Sequence, residues 1–374
     1  MPMKIALIGP TYPYRGGISH YTTLLFRHLR GNHEVCFWSF RRQYPAWLFP
    51  GKSDKEFGEK SLREIGIRYT IDSLLPHTWM LTAKQIVRFE PEIVVLPWWV
   101  AFWGPIFFIL LRYIKRHTDA AVVYICHNVI EHEAAGWKTK VSQMALGLGN
   151  GFLVHSDEEA GRLQRLVPGA RVKRVFHPIY SLVPRKNISR QAARKKVGVS
   201  GPTVLFFGFV RPYKGLEYLI EAFPQVLKSI SATLLIVGEF WQGKEKYLSQ
   251  IQKLGIEKHV KITDAYVPTE EIETYFAAAN VLAMPYVAVT GSGVVQMAFY
   301  FGLPVIVTDV GMLPQVVRNG ETGFVVPSRN PAVLAKKIVQ YFEDGLEETF
   351  RQEIEREKTR FSWNHIVQAI EEMV

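Results

Sequence analysis

Short runs of β-branched and aliphatic residues, each separated from the next by a helical pattern, recur along almost the whole chain. No other feature constrains its fold as tightly. One series comprises Lys4–Gly9, Glu34–Ser39, Ile93–Leu96, Ala121–Cys126, Gly151–His155 and Val172–Phe176. A second comprises Thr203–Gly208, Ala232–Val237, Val260–Thr263, Val281–Met284, Pro304–Thr308 and Gly323–Val325. Continuous apolar strands alternating with helices predict parallel sheets covered on both faces. Two such series in 374 residues predict an α/β chain of two doubly wound, Rossmann-like domains, because one core rarely grows that large.

Between Ser181 and Ser200 the periodicity lapses and Lys and Arg accumulate, with room for one short helix. The expected division is therefore an N-terminal domain over residues 1–182 and a C-terminal domain over residues 183–360. Phe361-Ser362-Trp363 opens a last amphipathic helix, residues 361–374, assigned to the N-terminal domain, with Ser362 as its N-cap. Domains of this kind, facing across a cleft, present strand C-terminal ends and helix N-termini to a ligand. The loops after the strands are where chemistry is expected.

Composition narrows the partners. A formal net charge of +11 favours anionic ligands such as nucleotide diphosphates or an acidic membrane surface. The basic residues form no strong block, and no zinc finger, RNA-recognition motif or basic zipper is present, so nucleic acid is not expected. Two cysteines, Cys36 and Cys126, cannot build a disulfide framework and read as buried thiols of a reducing, cytoplasmic compartment. The uncharged stretch Ile93 to Leu111 has the length of a membrane span, but Pro97, Gly104 and Pro105 interrupt it. A buried strand followed by a hydrophobic helix fits it better. The cluster Trp98, Trp99, Phe102, Trp103, Phe107 and Phe108, near Arg112, Lys115 and Arg116, suits either core packing or the interface of an anionic membrane.

Four loops carry candidate site residues. Gly16-Gly17 precedes a helix and permits close approach of backbone amides to a ligand, although the dinucleotide-binding glycine spacing is absent. His127-Asn128 follows a strand, and a neutral His127 imidazole there can hydrogen-bond a hydroxyl. The nearby Glu131-His132-Glu133 does not form a metal-binding helix with it, and no metal is expected. In Gly208-Phe-Val-Arg211-Pro-Tyr-Lys214-Gly215, a strand-end glycine leads to two cations that can hold a diphosphate and offset the charge growing on it as it leaves. The loop Thr290-Gly291-Ser292-Gly293-Val294, with Gln296 beyond it, offers small residues and a helix start as a second anion site.

Taken in order, Gly16-Gly17, His127-Asn128, His155-Ser156, His177-Pro178, Gly208 to Gly215, Gly293 to Gly302, Gly320-Glu-Thr-Gly323 and Phe361-Ser-Trp363 resemble the retaining glycosyltransferases of family four, which have the GT-B fold. The resemblance runs nearly end to end. It implies transfer of a sugar from a nucleotide-sugar donor, with retention and with no essential metal or other cofactor. A glycan or lipid-linked acceptor is expected, the latter because the aromatic cluster and its neighbouring cations suit the inner face of an anionic membrane. Lys214 and Arg211 match the family's phosphate-binding pair in type, although Phe209 stands where the family's Arg usually follows the strand-end Gly. The family's two glutamates fall at Val289 and Met297, and no acidic residue occurs from Pro285 to Thr308. The later Gly-Gly-x-x-Glu pattern is altered to Gly311-Met312-Leu-Pro-Gln315. Thr290, Ser292 and Gln296 are the neutral replacements expected to orient the donor, and Glu239 the candidate for its ribose. The missing acids leave a second reading open, an inert GT-B module that binds a sugar nucleotide or a protein.

Overall fold

The computed structural model describes residues 2–45, 47–48, 53–56, 63–130, 136–181 and 185–373. Glu131, His132 and Glu133 lie outside the described residues. The chain forms two compact units, Met1–Leu182 with Phe361–Val374, and Val183–Arg360.

In the first unit the strands are β1 (Lys4–Ile8), β2 (Glu34–Arg42), β3 (Arg68–Asp72), β4 (Ile93–Trp98), β5 (Ala121–Cys126), β6 (Gly151–Val154) and β7 (Val172–Arg174). They form a parallel sheet in the order β3-β2-β1-β4-β5-β6-β7. The sequence pattern does not reveal β3, whose Arg68 and Tyr69 are exposed. An edge strand has one neighbour and needs no continuous apolar run. The second unit contains β8 (Thr203–Phe207), β9 (Thr233–Val237), β10 (Val260–Thr263), β11 (Val281–Met284), β12 (Val305–Thr308) and β13 (Gly323–Val326). Its parallel order is β10-β9-β8-β11-β12-β13. Every residue of β8, β11 and β12 is buried, as central strands covered on both faces require.

The aromatic cluster is chiefly core and not a membrane-facing surface. Trp98, Trp103 and Phe107 are fully buried, with Trp99 and Phe102 packed against the same core. Gly104 lets the helix Gly104–His117 approach its neighbour, since a Cβ there would lie 2.3 Å from Val141 Cγ1. No helix among the described residues is long and apolar enough to cross a membrane. Cys126 is a buried free thiol, whereas Cys36 is only half-buried. The last helix, Trp363–Glu371, is capped by Ser362, whose Oγ accepts a hydrogen bond from Asn364 N at 3.2 Å. Trp363 Nε1 donates to the Ile179 carbonyl at 2.9 Å, fastening this helix to the segment after β7.

Candidate functional site

In the second unit the strand order reverses between β8 and β11, the switch point at which open parallel sheets receive ligands. The loops leaving these two strands carry most of the expected site residues. Gly208 follows β8 at φ 100°, and an added Cβ would lie 2.7 Å from Lys214 Nζ. A side chain at 208 would therefore occupy the ammonium's space. The helical turn Pro212–Lys214 then directs Lys214 inward, and Gly215 follows at φ 64°. Its absent side chain admits the β11 loop, because a Cβ would meet the Pro285 carbonyl oxygen at 2.0 Å. Val287 N donates to the Tyr213 carbonyl at 2.8 Å and ties the two loops.

Lys214 is consequently only 6% exposed. Burial, reinforced by the Arg211 charge, pushes its pKa down to about 7. No carboxylate opposes these effects among the described residues. An ammonium in such a place is poised for an external anion. Arg211 is exposed, its guanidinium lying over the rings of Tyr213 at 5.0 Å and Trp241 at 5.1 Å. The two cations thus differ in setting.

Two further loops close on this one. Gly238, after β9, has φ 150°, and a Cβ there would lie 2.1 Å from the Gly208 carbonyl oxygen. Val210 N donates to the Glu239 carbonyl at 2.9 Å, so buried Glu239 stands beside the Lys214 loop. After β12, Gly311 approaches Val289 so closely that a Cβ would meet its carbonyl oxygen at 1.8 Å. Ser292 caps the helix Gly293–Phe301, its Oγ accepting from Val294 N at 3.3 Å. Thr290 and Gly291 precede this cap in the same loop. Gln296, on that helix, is fully buried, and neither atom of its carboxamide has a partner among the described residues. A buried amide without partners costs about 1–3 kcal/mol per group, so this one calls for a ligand or solvent.

Met297 is buried beside Gln296. Met297→Glu is expected to lower the thermal midpoint by several degrees and leave donor turnover no higher, because its carboxylate enters an apolar setting. Thermal unfolding and a donor-hydrolysis assay of the variant measure both.

In the first unit, Gly16 adopts φ 106° immediately before the helix Gly17–Leu29, and no side chain among the described residues caps that helix. Tyr180 Oη donates to the Gly17 carbonyl at 2.9 Å. The His127 ring lies edge-on to Tyr21 at 4.5 Å and packs near His155 and His177, at 5.3 and 6.0 Å. Burial, then the neighbouring histidines, hold its pKa well below the usual range, so the ring is neutral. The sequence names all three histidines but gives no sign that they meet. Their link is sheet register: Cys126 pairs with Val154 and Val154 with Arg174 on adjoining strands.

These features define a two-unit, parallel α/β protein of the GT-B class. Residues 201–344, which lie within the second unit, match the family model described as glycosyl transferases group 1. A D-inositol 3-phosphate glycosyltransferase of Corynebacterium efficiens is 28% identical over 198 residues, 51% of this chain and 45% of that protein. A GDP-mannose-dependent alpha-(1-6)-phosphatidylinositol monomannoside mannosyltransferase of Mycolicibacterium smegmatis is 27% identical over 343 residues, 84% of this chain and 82% of that one. Apart from the latter, the chain spans about half the length of the curated relatives it matches. Among solved structures, Anabaena HepE in complex with UDP shares the fold with a TM-score of 0.76 at 19% identity, covering 99% of each chain. Sucrose-phosphate synthase from Thermosynechococcus elongatus gives 0.73 at 18% identity, over 99% of this chain and 98% of that one.

Proposed function

We propose that this protein transfers a sugar from a nucleotide-sugar donor to a glycan or lipid-linked acceptor, with retention and with no metal at the diphosphate. Buried Lys214, a cation with no carboxylate set against it among the described residues, is the observation that supports this reading. The second unit binds the donor. Lys214 takes a proton as the diphosphate arrives, and in a site shielded from water the ammonium offsets charge developing on the leaving oxygen. Arg211 assists from the exposed side of the loop. Loop amides from Gly208 and from Gly291 to Val294 contact the phosphates, while Thr290, Ser292 and Gln296 orient the sugar in place of carboxylates. Glu239 receives the ribose.

The first unit serves the acceptor, while its Gly16 and Gly17 amides reach the donor and neutral His127 hydrogen-bonds a hydroxyl of the reacting sugar. Exposed Trp137 and Met144, on a helix that also carries Lys138 and Lys140, support contact with an anionic membrane surface at the cytoplasmic face.

The absence of acidic residues at 289 and 297 keeps the inert-module reading in play. Incubating the full chain with UDP- and GDP-sugars in excess EDTA, with and without lipid-linked acceptors, separates the two. Release of nucleoside diphosphate is the expected result. Binding without release across donors and acceptors would favour the module. Loss of activity in EDTA with recovery in magnesium would remove the metal-free reading.

A further inference from the structure

The first unit holds a cluster of three histidines, of which the proposed sugar transfer uses only His127. His127 follows β5, His155 follows β6, and His177 lies just beyond β7. These are neighbouring parallel strands, so the three residues form a row along the sheet's C-terminal edge. His155 and His177 are each only 4% exposed. One ring nitrogen from each of the three lies within 4.8 Å of the others.

Hydrogen bonding fixes which nitrogens are available. His155 Nδ1 sits 3.0 Å from the Val175 carbonyl, and His177 Nδ1 sits 3.2 Å from the Pro178 carbonyl. A carbonyl only accepts, so both Nδ1 atoms carry the proton and both Nε2 atoms present lone pairs. His155 Nε2 is buried with no partner among the described residues. His177 Nε2 is 3.4 Å from Tyr180 Oη, but that hydroxyl gives its proton to the Gly17 carbonyl at 2.9 Å. It has none left for the imidazole. An imidazole whose Nδ1–H is held by a backbone carbonyl is the form in which proteins present histidine to a metal.

We propose that His127, His155 and His177 form a three-histidine site for a divalent transition ion of the zinc type, with one coordination position open to water. Imidazole nitrogens suit zinc, and bonds of about 2.0–2.1 Å require ligand atoms roughly 3.3 Å apart in tetrahedral geometry. Small side-chain rotations close the difference from the present spacing. The Tyr21 hydroxyl, fully buried and without a partner among the described residues, belongs to the same cluster of rings and is a candidate to receive the bound water. The ion would clip together the ends of β5, β6 and β7. It would have no part in diphosphate binding, whose proposed residues lie in the other unit; His127 is the residue that both readings use, and cobalt binding is read out without any sugar transfer, so the two can fail separately.

The test uses the full chain, stripped of metal and titrated with Co2+. One equivalent should bind, producing the visible absorption of tetrahedral cobalt, and X-ray absorption should report three imidazole nitrogens. Zn2+ should displace the cobalt. At a hundredfold excess of ion over Kd, the thermal midpoint should rise by roughly 5–10 °C. His155→Asn keeps an N–H for the Val175 carbonyl but removes the ligand, so it should fold without metal and lose the cobalt band. His177→Ala should lose the band as well. A wild-type chain with no cobalt band would overturn the proposal and leave water as the occupant. An unchanged band in His155→Asn would overturn it too, by placing the ion elsewhere.

Discussion

Lys214→Met should raise the thermal midpoint of the ligand-free protein by several degrees while lowering donor turnover by on the order of a hundredfold or more. Both effects arise from one buried charge. The folded protein holds the Lys214 pKa at about 7, below its ordinary value of 10.5. Between those values the unfolded chain binds the extra proton, so stability rises with pH across that window and is flat below it. At neutral pH the native state therefore carries a cost on the order of 2–5 kcal/mol, which an apolar side chain of similar length removes. Donor affinity runs the opposite way. It should be full below pH 7 and fall by up to tenfold per unit above it, and Lys214→Met should abolish that slope. Thermal unfolding and titration calorimetry with UDP, from pH 6 to 9, measure all three trends. A variant that is less stable and equally active would show that Lys214 packs the loop and does not serve a ligand.

Gly238→Ala is expected to be among the most damaging single methyls in the second unit. At φ 150° the backbone disfavours any side chain, and the new Cβ would lie 2.1 Å from the Gly208 carbonyl oxygen and 2.6 Å from its carbon. Strain and overlap together should cost about 2–5 kcal/mol. The loops after β8 and β9 must then separate, carrying Lys214 away from its position, and UDP affinity should drop by more than tenfold. Gly243→Ala is the control. Gly243 also has positive φ, at 64°, but no atom lies within 4 Å of its added Cβ. It should lose only about 1–2 kcal/mol and keep its affinity. Equal melting points for the two variants would contradict the close approach of the loops.

Much of this architecture was legible in the chain. Twelve strands announce themselves as apolar runs because a parallel sheet buries both faces of nearly every strand, and burial selects composition directly. The polar edge strand Arg68–Asp72 escapes the same logic. The aromatic residues from Trp98 to Phe108 show its limit. Composition suits them to a membrane interface and to a core equally, and only packing around Trp103 distinguishes the two.

The candidate site divides in the same way. Sequence by itself determined that Gly208, Arg211, Lys214, Ser292 and Gln296 fall on loops or helix starts after strands, because the alternation of strand and helix fixes where each strand ends. It also fixed the absence of carboxylates at 289 and 297, which is a matter of composition. Only the tertiary structure decided that Lys214 is buried and Arg211 exposed, although they lie in one loop. That burial comes from the Pro285 loop closing over Gly215, a contact between residues far apart in the chain. Likewise, nothing in the spacing of His127, His155 and His177 brings them together. They meet because three parallel strands of unequal connection length end side by side, and hydrogen-bond register across a sheet does not depend on sequence separation.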